Sequence, residues 1–179
     1  MEARVKVWDP FVRLFHWGLV AAIIIAWFSA DGVRNLHEFA GYMAAGLIVL
    51  RLALGLMGSR YARFRQFIRS PRHVLAYVRD VLRHRERRYL GHNPLGALMV
   101  VFLLAIVSCI ALTGYLQTTD AFWGVEWVEE LHEGLVNVLL LSVLVHVGGV
   151  VHASLRHREN LVAAMVVGSK RKPDNSDID

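Results

Sequence analysis

Four apolar runs, each about twenty residues long, constrain this chain more than any other feature. They extend from Phe11 to Ala30, Leu36 to Met57, Leu95 to Leu116, and Leu131 to about Leu155. An α-helix needs about 20 residues to cross a hydrocarbon core about 30 Å thick. Lipid offers no water to backbone N–H and C=O groups, so runs of this kind fold as helices. Residues 95–116 carry no formal charge and no histidine and make the cleanest crossing. With 55% hydrophobic residues in 179, the chain is too apolar for an ordinary soluble domain. The expected fold class is all-α: an integral membrane four-helix bundle over residues 1–172, then a disordered polar tail over 173–179. The first run has the length of a secretion signal. Its internal His16 and the lack of a small-residue cleavage site predict a retained anchor.

The cations set an orientation. Of twenty Lys and Arg residues, all but Arg34 and Arg51 lie in or beside the two ends and the 59–93 segment. By the positive-inside rule, both termini and that segment face the cytoplasm. The turn at 31–36 and the acidic, tryptophan-bearing loop at 117–130 then face outward. The predicted location is the bacterial inner membrane, crossed four times. The 59–93 segment holds ten arginines against Asp80 and Glu86. After Ser70-Pro71, the spacing of Val74, Leu75, Val78, Val81 and Leu82 predicts a basic amphipathic helix at the membrane surface. A solvated basic loop is the plainer reading. The placement of charge beside the spans points to lipid as the partner; nucleic acid is not expected.

Histidines inside such runs are expensive and mark function. His132 and His146 are fourteen residues apart in one run, 40° short of four full turns, so both leave the same helix face. Their axial separation is about 21 Å. With the topology above, His37 and His132 share the outer level, and His16 and His146 share the inner one. Three helices therefore supply two pairs, as a bundle-core cofactor site requires. Two facing imidazoles suit a flat macrocycle better than zinc or copper, which want further ligands. Gly18 and Gly148 by the inner pair, and Gly41 and Gly134 by the outer, allow a flat group to come close. Arg13, Arg34 and Arg51 are candidate partners for propionates. Snorkelling toward headgroups is the competing reading, strongest for Arg13 and Arg34. His152 lies about 200° from His132 in helical phase and is the rival to His146. Cys109 stands alone in an apolar run. No CxxCH is present, which excludes covalent c-type haem.

The stretches VWDPFVRLFHW at 7–17, LHEFAGY at 36–42, YLGHNP at 89–94, LHE at 131–133 and HRENL at 157–161 carry a resemblance. The chain resembles the bacterial cytochrome b561 family, near the cytochrome b subunits of nickel–iron hydrogenases. That resemblance implies a four-helix bundle with two non-covalent b-type haems, each held by two histidines. Carried over residue by residue, it gives His16 with His146 and His37 with His132. It implies electron exchange between the quinone pool and another redox carrier, with a bound quinone at one bilayer edge. His152, Arg156 or the loop near His92 are candidates for an inner quinone site, and the acidic loop for an outer one. A second reading is an anchor subunit serving a c-type cytochrome, a hydrogenase or a dehydrogenase. A homodimer is allowed. No catalytic residue is assigned, and a quinol oxidoreductase activity stays open. A haem-free transporter is the least consistent reading, since the spans show no broken helices or inverted repeats.

Overall fold

The computed structural model describes residues 4–174 and 177–178. Strand β1 (Arg4–Lys6) opens the chain. Helices α1 (Pro10–Ser29), α2 (Arg34–Met57), α3 (Phe64–Phe67), α4 (Pro71–Leu82), α5 (Pro94–Gln117), α6 (Glu126–Arg156) and α7 (Leu161–Val167) follow, and strand β2 is Ser169–Arg171. Four of the helices, α1, α2, α5 and α6, are long and apolar enough to cross a membrane. Between 11 and 28% of the residues in their most apolar stretches are buried within the protein. The all-α class with four membrane-length helices is as expected.

The helix starts follow local chemistry. Pro10 and Pro94 begin α1 and α5, where a missing N–H costs nothing. Asp9 Oδ1 accepts from the Phe11 N–H at 2.8 Å, and Asn93 Oδ1 from the Gly96 N–H at 2.7 Å. Helix α6 starts at Glu126, five residues before the apolar run. Its acidic Glu126 and Glu129 sit in the first turn, where the helix dipole favours them. Hydropathy does not see this extension because the added turn is polar. The ribbon of β1 and β2, with Val5 opposite Lys170, was not expected; three-residue strands are too short to show a period. Neither was α7, which follows the HRENL stretch. Its N-cap is Asn160, whose side chain accepts from the Ala163 N–H.

The chain divides into two compact units. The first comprises Met1–Arg13, Ala53–Val101 and Val145–Asp179; the second comprises Leu14–Leu52 and Phe102–Leu144.

In the first unit, Val7, Trp8 and Ala164 form a small core with Val5, Tyr61 and Met165 against it. The expected amphipathic helix is α4. Tyr77 is buried on one side, edge-on to Tyr89 at 5.7 Å, while Leu75 and Leu82 stay exposed beside Arg72 and Arg79. Arg88 is the hub of a buried ion network. Its guanidinium binds Glu159 at 2.8 and 3.1 Å, the Arg171 carbonyl at 2.9 Å, and Asp177. Burial alone would raise the Glu159 carboxyl. Hydrogen bonds from Arg88 and the Arg171 N–H carry it below the usual carboxylate range. Lys170 lies among these groups with its ammonium 5.4 Å from the centre of the Trp8 ring, and burial pushes it down to about 8. Arg156 pairs with Glu86 at 2.7 Å. The tail from Pro173, expected to be a disordered polar segment, makes contacts at its described residues. Asp177 joins the Arg88 network, and Ile178 bridges to Tyr89. Residues 175, 176 and 179 of that segment lie outside the described ones.

In the second unit, the packing of α1 on α2 includes Gly18, where an added Cβ would meet Leu47 at 3.4 Å. Ser29 ends α1 by donating its hydroxyl to the Ile25 carbonyl at 2.7 Å. The buried residues of this unit include Phe15, Ala22, Ala40, Ala44, Ile48, Leu104, Val107 and Leu139.

Candidate functional site

The second unit brings His37 and His132 together. Their ring centres are 6.3 Å apart with planes at 69°. His37 leaves the start of α2, and its Nδ1–H donates to the Ala26 carbonyl of α1 at 2.9 Å. His132 leaves the second turn of α6, and its Nδ1 is 2.9 Å from Thr113 Oγ1 of α5. The Thr113 hydroxyl is committed to the carbonyls of Cys109 and Ile110 at 3.0 and 3.1 Å, so the imidazole is the donor. Both rings are therefore fixed in the tautomer that carries hydrogen on Nδ1. Nε2 is the nitrogen on each ring that could hold a metal, with the ring oriented through Nδ1 by an outer hydrogen bond.

The spacing would suit an iron held between the two imidazoles. A metal–imidazole nitrogen bond is about 2.0 Å, and a ring centre lies about 1 Å beyond that nitrogen, so opposed rings have centres about 6 Å apart. Space around the pair is consistent with a flat group. A Cβ added at Gly41 or Gly134, the two glycines expected beside this level, would meet nothing within 4 Å. Among the described residues no group of three or more His, Cys, Asp and Glu converges. The adjacent Glu38 is held by Arg34 Nε at 2.6 Å.

The other expected site residues are placed as follows. Arg34 stacks on the Trp123 ring at 4.1 Å while pairing with Glu38. Arg51 is 2% exposed within α2, a buried cation on a membrane-length helix. Arg13, in the first unit, donates to the Val166 carbonyl, and its guanidinium packs against Gly168. That tie fastens the start of α1 to α7 and gives Arg13 a structural task beside the one expected of it. His16 belongs to the second unit, half-buried on α1 and edge-on to Trp17 at 5.0 Å. His146 belongs to the first unit and is half-buried on α6, whereas His152 on the same helix is exposed.

Two residues of α5 that stand at this pair were not among the expected site residues. One is Thr113, the partner of His132. The other is Gly114, where an added Cβ would stand 3.2 Å from His132 Cε1. The available signal was the Thr-Gly pair interrupting an otherwise apolar run. A hydroxyl that bonds its own helix backbone is common in such runs, so the pair alone does not name a site.

The model of prokaryotic cytochrome b561 matches residues 7–168 of this chain. Probable Ni/Fe-hydrogenase B-type cytochrome subunits are similar along nearly the whole length. The one from Azotobacter vinelandii is 22% identical, covering 97% of this chain and 91% of its own. The one from Cupriavidus necator is 25% identical, covering 94% and 87%. A third, from Rhizobium leguminosarum, is 21% identical, covering 97% and 91%. No solved structure matches. With four membrane-length helices and this match over most of its length, the chain belongs to the prokaryotic cytochrome b561 family, multi-pass bacterial membrane proteins that carry b-type haem for electron transfer.

Proposed function

We propose that this protein is a di-haem electron carrier of the bacterial inner membrane, exchanging electrons between quinone and a second redox carrier. The observation that carries the reading is the His37–His132 pair, 6.3 Å between ring centres with both Nδ1 atoms tied to the protein. Bound there, haem supplies a one-electron couple. The chain's own residues do the rest. His37 and His132 would hold a haem iron between them, a ligand set that suits electron transfer. Thr113 and the Ala26 carbonyl keep the imidazoles oriented. Gly41 and Gly134 leave open space on their helices, and Gly114 lets α5 pass close to the His132 ring.

The inner centre is assigned to His16 and His146 from helical phase. The half-burial of His146 and the exposure of His152 support that choice. Arg51, buried on α2 fourteen residues after His37, is the candidate partner for a propionate at the inner level. The orientation with both termini in the cytoplasm rests on the distribution of Lys and Arg. The test is stoichiometry and turnover. Protein purified in mild detergent should hold two haems per chain and be reduced by a soluble quinol. One haem per chain, or no reduction by quinol, contradicts the reading.

A second reading is supported by the relatives' names: an anchor subunit taking electrons from a hydrogenase-type partner. Glu126, Glu129, Glu130 and Glu133 are exposed on α6 and would steer a basic partner face. Co-purification with a hydrogenase at low salt, lost at high salt, distinguishes it from a stand-alone quinol oxidoreductase.

A further inference from the structure

We propose that the end of α6 in the first unit carries a binding site for one anionic phospholipid. A cleft of about 570 Å³ is lined there by Arg4, Arg158 and Arg171 together with Glu159 and Asn160. A second groove of about 400 Å³ shares Arg158, Glu159 and Asn160 with it and continues along Val151, Leu155 and Val162. The first is polar and cationic; the second is mostly apolar, and those three side chains are 51, 76 and 52% exposed. A headgroup phosphate beside the arginines and an acyl chain along the valines and leucine would use both at once. Water-soluble phosphates would leave the apolar groove uncovered, so the occupant is a lipid.

The charge is available. Glu159, the acid in the cleft wall, has both carboxylate oxygens taken by Arg88, and the Arg171 N–H adds to one of them. Among the described residues, the Arg171 side chain pairs loosely with Asp174 at 3.7 Å. The backbone supplies an independent sign. Arg158 sits at φ +49° in the left-handed region. There it closes α6: the Glu159 N–H donates to the Ser154 carbonyl at 3.0 Å, and the Arg158 N–H reaches the Leu155 carbonyl at 3.4 Å. Glycine is the usual residue at that position. A bulky cation there is strained, and strain kept at one position points to a task for the side chain.

The proposal rests on the chain being a membrane protein and not on its haem count, so the two fail separately. Protein in detergent is titrated with phosphatidylglycerol or phosphatidylcholine of identical chains and read by native mass spectrometry. Phosphatidylglycerol should bind at least tenfold more tightly. Arg158→Gly and Arg171→Gln should each lower its affinity several-fold, and Val162→Asp should weaken both lipids. Arg158→Gly should keep the haem spectrum and an equal or higher Tm, which separates lost binding from lost fold. Arg72→Gln on α4 should change nothing. Equal binding of the two lipids, a loss with Arg72→Gln as large as with Arg158→Gly, or full competition by equimolar glycerol phosphate would each overturn the proposal.

Discussion

Thr113→Val is the sharpest test of how the outer pair is held. Valine has nearly the same shape as threonine, so α5 packing is retained and the hydroxyl alone is lost. Thr113 is 5% exposed, and its Oγ1 is the acceptor for His132 Nδ1–H at 2.9 Å. Removing it takes the side-chain acceptor away from a half-buried donor, which costs about 1–3 kcal/mol. At 1.4 kcal/mol per factor of ten, the loss in haem retention is about 10–100-fold, the usual range for an outer-sphere partner of a metal-bound histidine. An imidazole without that acceptor is also a poorer donor to iron, so the midpoint potential of one centre should rise. The assay is haem transfer to excess apomyoglobin, followed optically, beside a redox titration. One haem should leave faster and the other at the wild-type rate. Thr113→Ser, which keeps the hydroxyl, should behave as wild type. If Thr113→Val leaves both rates and both potentials unchanged, the hydroxyl does not orient a ligand and the reasoning fails.

Gly114→Ala should shift the same centre by crowding His132 Cε1, a contact of 3.2 Å that the ring must yield to. A variant with unaltered spectrum and potentials would contradict it. Lys170 is pushed down to about 8, so between pH 8 and 10.5 the unfolded chain binds more protons than the folded one. Stability should rise with pH across that window and be flat below it. Lys170→Met should abolish the rise in Tm; a slope unchanged in the variant refutes the assignment. Arg158→Gly should raise stability by about 1 kcal/mol, since an L-residue in the left-handed region costs about that much. A lower Tm would show that the Arg158 side chain supports the fold.

The spans were legible because a bilayer admits few backbone solutions. Twenty apolar residues leave only a helix. The His37–His132 pair was legible for a related reason: helical phase and axial rise convert spacing into depth, and the topology matches depths. What the sequence hid is short and long-range. The partnership of Arg88 with Asp177 joins residues 89 positions apart, and no local pattern signals it. The ribbon of β1 and β2 has the same character. Arg34 shows the limit of counting charges. Its isolation in the sequence suggested a cofactor partner; in space it also pairs with Glu38 and stacks on Trp123, contacts that a count of charges does not announce. Thr113 was visible as a residue type and invisible as a role, because its value depends on which ring arrives opposite.

The measurement that bears most directly on the central claim is a redox-resolved optical spectrum of the wild type beside single alanine variants of His16, His37, His132, His146 and His152. The account predicts two b-type centres. His37→Ala and His132→Ala should remove the same one, His16→Ala and His146→Ala the other, and His152→Ala neither. A single centre in the wild type, or variants that group His37 with His146, would contradict it.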